Sequence, residues 1–191
     1  MTGRPSAYFR SVMPRVRVRL AAICPTMVGM EGTRRLVVMR HAKAGELPGG
    51  PDIERALTPR GRSDAAAAGE WLRSGGYLPD AVICSAARRA RQTWHYISEV
   101  LGGEVAFTAE KGLYQADADE VIEIIGATPP EVETLMYLGH NPAAADVIAV
   151  LTGAEPHFPA AAIAIIGVPA GWDDLAAGDG DLLVSWTPAD G

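Results

Sequence analysis

Aromatic residues make up only 6% of this 191-residue chain, and three of them are phenylalanine. There are two cysteines, Cys24 and Cys84, far apart in unlike contexts and without metal-ligand spacing. This excludes a disulfide-stapled secreted scaffold and reads as reduced thiols in a cytoplasmic protein. The four histidines are scattered, with no i, i+4 pair and no cysteine partner at ligand spacing, so no metal site is expected. No apolar run is long enough to span a bilayer, because the stretch 20–30 is broken by Pro25 and Gly29. Charged residues reach 21% against 48% apolar, which excludes a solvated disordered chain and suits one domain with a sizeable core.

The formal charge of -6 is unevenly spread. Residues 1–35 hold seven arginines and one acid, Glu31, so the remaining 156 residues carry -12. Eight of the ten cations in that acidic remainder fall in three windows: Arg40 and Lys43; Arg55, Arg60 and Arg62; Arg88, Arg89 and Arg91. Such gathering builds a local anion site, whereas a nucleic-acid footprint needs a broad basic face. Residues 1–33 show no clean period, and their charged part is too long, and without a small-residue cleavage site, for a secretory signal. They are expected to be an over-called start ahead of Met27 or Met30, or a disordered basic arm, and the folded domain is expected at 34–188.

From Arg35 onward, strand-like apolar runs alternate with helical patterns, which predicts an α/β fold with helices on both faces of a mostly parallel sheet. Strands are expected at 36–39, 81–84, 105–108, 133–138, 161–168 and 181–186. Thr58-Pro59 opens a helix that stops near Gly75-Gly76, and its alanine run reads as helix propensity. Ala90, Trp94, Ile97 and Leu101 form the apolar stripe of the next helix, with Arg89 in its first turn. Asp117 and Glu120 resemble a capping box, and Asn141-Pro142 is expected to cap and start a later helix.

Arg40-His41, Ser85 to Arg89, and His140 each directly follow a predicted strand. Ligands of open α/β sheets bind outside the carboxyl ends of strands, so these groups should converge on one crevice. Helices starting after Ser85 and His140 would turn backbone N–H groups toward it. That is an anion site with two imidazoles.

Four motifs carry a resemblance. Leu36-Val37-Val38-Met39-Arg40-His41-Ala42-Lys43 resembles the Arg-His-Gly motif of the histidine phosphatase superfamily, and Arg55-Ala56-Leu57-Thr58-Pro59-Arg60-Gly61 its Arg-x-Leu-Thr-x-x-Gly stretch. Ser85-Ala86-Ala87-Arg88-Arg89-Ala90-Arg91-Gln92-Thr93 is similar to Ser-Pro-x-x-Arg-Ala-x-Gln-Thr, and Gly139-His140-Asn141-Pro142 to Gly-His-x-Pro. Leu113-Tyr114-x-Ala116 and the short length favour the SixA-type group. The resemblance implies a phosphoglycerate mutase-like three-layer α/β/α sandwich and a phosphohistidine phosphatase. In it His41 is the nucleophile, Arg40, Arg55 and Arg89 hold equatorial oxygens, and His140 donates to them as an imidazolium. Arg55 binds substrate, and no cofactor is needed.

Ala42 and Ala86 depart from the motif Gly and Pro, with loop shape the expected consequence. The general acid is the larger departure: mutase-like relatives place a Glu after the third strand, where this chain reads Gly112-Leu113-Tyr114-Gln115. Glu46, Asp52, Glu54, Glu110 and Asp117 do not replace it persuasively. A site without a strong acid favours phosphohistidine, whose leaving nitrogen can be protonated before cleavage. The partner is then a phosphorylated protein or a small phosphorylated substrate, with no nucleic acid and no membrane. The competing readings are a phosphomonoesterase of a small metabolite and a non-catalytic phosphate-binding module. His95, His157, Arg60, Arg62, Arg88 and Arg91 are expected to be surface residues, and Trp94 core.

Overall fold

The computed structural model describes residues 34–168 and 171–188; the predicted extension 1–33 lies outside the described residues. Apolar residues at consecutive positions of a strand face both sides of a sheet, and β1 (Arg34–Arg40) does this. Leu36 and Val38 enter one core, Val37 and Met39 the other, all four fully buried. β1 lies inside a six-stranded sheet with β2 (Ala81–Ser85), β3 (Ala106–Glu110), β4 (Thr134–Gly139), β5 (Ile163–Val168) and β6 (Asp181–Trp186). The order is β3-β2-β4-β1-β5-β6, with the first four strands parallel and β5 antiparallel to both β1 and β6. The mostly parallel sheet and the three layers are as predicted.

Helices α1 (Pro59–Gly75) and α2 (Arg88–Leu101) cover one face, burying Ala65, Leu72 and Ile97 against Val37 and Met39. Helices α3 (Ala118–Gly126) and α4 (Ala143–Thr152) cover the other, burying Val121, Val147 and Ile148 against Leu36 and Val38. Thr58 Oγ1 accepts from Gly61 N–H at 2.9 Å and caps α1, while Asp117 and Glu120 form the expected capping box on α3. Two expectations need correcting. The alanine run of α1 is more than helix propensity: Ala65 and Ala68 are fully buried, and a Cβ on Gly69 would meet Val100 Cβ at 3.0 Å, so small residues set the α1–α2 approach. Asn141 does not cap α4, because its Nδ2 donates to the Phe158 carbonyl at 2.9 Å and Pro142 holds the cap position.

Two motif glycines are explained by close packing. At Gly61, a Cβ would lie 2.1 Å from the Lys43 carbonyl oxygen, which already accepts from Thr58 N and Thr58 Oγ1. At Gly139, a Cβ would strike the Tyr137 hydroxyl at 2.2 Å. The first approach pins the start of α1 against the loop that follows β1. Gly61→Ala is therefore expected to destabilise the protein by about 1–3 kcal/mol in urea unfolding through overpacking, and an unchanged midpoint would contradict this contact.

Candidate active site

Strands β2, β4 and β1 are neighbours and parallel, so their carboxyl ends open on the same edge of the sheet. His41 follows β1 and is clamped by its backbone, with its N–H donating to Gly139 O at 3.0 Å and its carbonyl accepting from Ala161 N at 3.1 Å. Ala161 adopts φ 63°, a left-handed conformation unusual for alanine, and it does so fully buried at this clamp. The next residue, Ala42, donates its N–H to Thr93 Oγ1 at 3.0 Å, and that hydroxyl donates to Arg89 O at 2.7 Å. Gln92 Oε1 accepts from Leu57 N at 2.8 Å. The Gln-Thr pair of the third motif thus ties both ends of the loop after β1 to α2.

His41 Nδ1 lies 2.8 Å from the Ala42 carbonyl oxygen, which can only accept. This assigns the ring proton to Nδ1 and leaves Nε2 with a free lone pair. Arg89, buried in the first turn of α2, aims its guanidinium at that lone pair, Nε to His41 Nε2 at 3.1 Å. Its Nη2 lies 3.5 Å from His140 Nδ1, and the two imidazoles sit edge to face with centroids 5.0 Å apart. His140 Nε2 is 2.8 Å from Ser85 Oγ, which also accepts from Ala87 N at 3.3 Å. The second lone pair of that hydroxyl takes the Nε2 proton, so His140 Nδ1 is left as an acceptor facing Arg89.

Residues from the loop after β1 close the mouth. Arg89 Nη1 donates to Asp52 O at 2.8 Å and pairs with Asp52 Oδ2 at 3.0 Å. Arg55 donates from Nη1 to Asp52 Oδ1 and from Nε to Gly45 O, both at 2.8 Å. Tyr114 donates its hydroxyl to Asp52 Oδ2 at 2.7 Å, with its ring edge-on to His140 at 5.7 Å and 5.8 Å from Arg89 Cζ. Arg40 donates from Nη1 to Phe158 O at 3.1 Å, and its buried Nε has no hydrogen-bond partner among the described residues. His41, Arg89 and His140 thus lie in contact with one another, with Arg55 joined to them through Asp52 and Arg40 close enough to act on both imidazoles.

The electrostatics follow from burial and the guanidinium cluster. Burial, reinforced by His140, Arg89 and Arg40, lowers the His41 pKa to about 3 despite the Ala42 hydrogen bond. Burial and the neighbouring Arg89 lower His140 to about 4, against a smaller upward pull from Asp52. The imidazolium expected of His140 is therefore not its state here near neutral pH. Arg55, Tyr114 and Arg89 hold the Asp52 carboxyl far below the ordinary range, so it is ionised. Three guanidinium groups against one carboxylate leave the charge needed to balance a phosphoryl dianion.

Sequence reasoning placed Ser85 at the site and missed the places of Asp52, Tyr114, Gln92 and Thr93. The i, i+3 pairing of Asp52 with Arg55 was the available signal for the first, and motif membership for the last two. The other acids lie elsewhere: Asp117 caps α3, Glu110 Oε1 accepts from Gly112 N at 2.9 Å, and Glu46 and Glu54 are exposed. His95 and His157 are exposed, Arg60 pairs with Asp64, Arg62 donates to Leu57 O, and Arg88 and Arg91 lie on the exposed side of α2. Among the described residues, no group of three His, Cys, Asp or Glu side chains is placed to hold a metal ion.

The model of the histidine phosphatase superfamily (branch 1) matches residues 36–131. A solved structure from Nakamurella multipartitia, provisionally identified as the phosphohistidine phosphatase SixA, superposes with a TM-score of 0.74 at 33% identity. The match covers 83% of this chain and 98% of that one. A similarly described SixA from Agrobacterium tumefaciens shares the fold, with a TM-score of 0.71 at 24% identity over 81% of this chain and 98% of that one. An uncharacterized Mycobacterium leprae protein is 34% identical over 78% of this chain and 99% of its own length. This chain belongs to the histidine phosphatase superfamily. Within it, the chain is of the SixA type, and membership supports a phosphatase.

Both site histidines have pKa values depressed below the ordinary imidazole value of about 6.5. As pH falls, the unfolded chain binds protons first, so stability declines from about pH 6.5 toward about 4 for His140 and about 3 for His41. A ring-nitrogen NMR titration is expected to show His41 and His140 still neutral at about pH 5, and a midpoint near 6.5 for either would contradict the burial argument.

Proposed function

We propose that this protein hydrolyses phosphohistidine through a covalent phosphohistidine intermediate on His41. The observation that carries the reading is the Nε2 lone pair of His41, left unprotonated by the Nδ1 contact with Ala42 O and accepting from Arg89 Nε. Nε2 attacks phosphorus, the bond from phosphorus to the leaving nitrogen breaks, and its electron pair returns to the departing ring. Water then attacks the phosphoryl group on His41, releasing inorganic phosphate and restoring the lone pair. Arg40 and Arg89 hold equatorial oxygens through planar forks, and Arg55 steers the anion at the mouth. A bound dianion opposes the guanidinium field that keeps His140 neutral, so His140 Nδ1 takes up a proton and donates it to a third oxygen.

The choice of phosphohistidine rests on the acid inventory. Asp52 reaches the site but is ionised by Arg55, Tyr114 and Arg89, so it has no proton to give an alkoxide. A protonated imidazole leaves without one. The phosphatase domain is assigned to residues 34–188. A cytoplasmic setting is supported by Cys84, a free thiol buried in the sheet whose pKa burial pushes up to about 12, and by the absence of a membrane-crossing helix among the described residues.

Rapid quenching with a radiolabelled phosphohistidine protein should trap acid-labile phosphate on the wild-type chain and none on His41→Ala. That variant should lose at least about a thousand-fold in kcat/KM. Full activity in the alanine variant would remove His41 from the mechanism.

A further inference from the structure

An ionised carboxylate at the mouth of a phosphate site needs an explanation, because it repels the group that the site gathers. Asp52 is not there by accident of a mobile loop. Its Oδ1 accepts from Arg55, and its Oδ2 accepts from Tyr114 and pairs with Arg89. These partners come from its own loop, from the turn after β3 and from α2, and His140 at the end of β4 feels its charge. A carboxylate offers about four acceptor positions, and these contacts use three. Half of the side chain remains exposed, open to whatever enters the mouth.

The position of Asp52 relative to the nucleophile gives the remaining acceptor a use. The Arg89 guanidinium has His41 Nε2 on its Nε and Asp52 Oδ2 on its Nη1. A phosphoryl group resting on Arg89 beside His41 therefore has Asp52 toward its outer side. In-line attack from Nε2 expels the leaving group in that outward direction. A phenolate or alkoxide departing there meets a like charge, whereas the protonated ring of a bound phosphohistidine meets an opposite one and departs as neutral imidazole.

We propose that Asp52 is the specificity-determining residue of this site, accepting the distal ring N–H of the substrate's phosphohistidine and so holding the leaving imidazole in its protonated form. The assignment rests on the phosphohistidine reading above. The proton balance is closed. The bound ring carries its extra proton on the nitrogen remote from phosphorus, the broken P–N bond returns its electron pair to the other nitrogen, and neutral imidazole departs with its N–H still on Asp52. Asp52 itself is never protonated, and the role that a general acid fills for sugar esters is filled by a proton the substrate brings.

The test is the pH dependence of kcat, which reports groups in the enzyme–substrate complex. Wild type, Asp52→Asn and Asp52→Glu would be compared on a phosphohistidine peptide and on p-nitrophenyl phosphate, which has no ring proton. With Asp52→Asn, the alkaline limb of kcat on the peptide is expected to move down by about one pH unit or more, as loss of a neighbouring charge does. The ratio of kcat/KM for peptide over aryl phosphate should fall about ten-fold at pH 8, with Asp52→Glu recovering part of both effects. An unmoved limb, with both substrates slowed by the same factor, reduces Asp52 to a brace for Arg55 and Arg89 and overturns the assignment alone. A wild-type enzyme inert toward the phosphohistidine peptide while cleaving the aryl ester overturns the substrate reading along with it.

Discussion

The hydrogen bond between His41 Nδ1 and the Ala42 carbonyl decides which ring nitrogen meets the crevice, and the surrounding packing keeps that carbonyl in place. Ala42 is fully buried, its N–H is held by Thr93, and the backbone of His41 is fastened to Gly139 on one side and Ala161 on the other. A rotated ring would need to break a contact between an N–H and a fixed carbonyl in a buried setting, which costs about 1–3 kcal/mol. The His41 ring is thus oriented by β1, β4 and α2 together, and rigid elements hold a side chain more closely than loops do.

Charge sets the second constraint. Arg89 is among the few buried cations, and it is satisfied by two imidazole nitrogens and by Asp52. Burying a guanidinium requires such partners, and the same partners suppress protonation of both histidines. One group therefore keeps both imidazoles neutral and, on the proposed mechanism, would also meet a phosphoryl oxygen. The neutral histidines, the ionised Asp52 and the guanidinium cluster form one electrostatic system, in which changing any member alters the protonation of the others.

Much of this was legible in the sequence because it depends on local pattern. Buried parallel strands read as apolar runs, strand ends marked Arg40, His41, Ser85 and His140, and Asp117 with Glu120 announced a helix start. What escaped depends on contacts between distant segments. Thr93 and Ala42 are 51 residues apart, and Gln92 and Leu57 are 35 apart, so nothing local marks them as partners. The same holds for Tyr114 and Asp52, separated by 62 residues, whose hydrogen bond adds to the Arg55 pairing that ionises the carboxyl. The neutral state of His140 without a bound anion was not legible for a related reason: burial and the proximity of Arg89 are properties of the folded site. The alanines of α1 and the side chain of Asn141 have helix-forming and capping habits, which tertiary packing overrode.

The central claim is that His41 Nε2 lies in line with a phosphoryl group held by guanidinium forks. A crystal structure with vanadate bound tests it most directly. The account predicts vanadium bonded to His41 Nε2, with equatorial oxygens on Arg40, Arg89 and His140. Vanadium bonded to His140 instead, or an anion lodged away from both imidazoles, would contradict it.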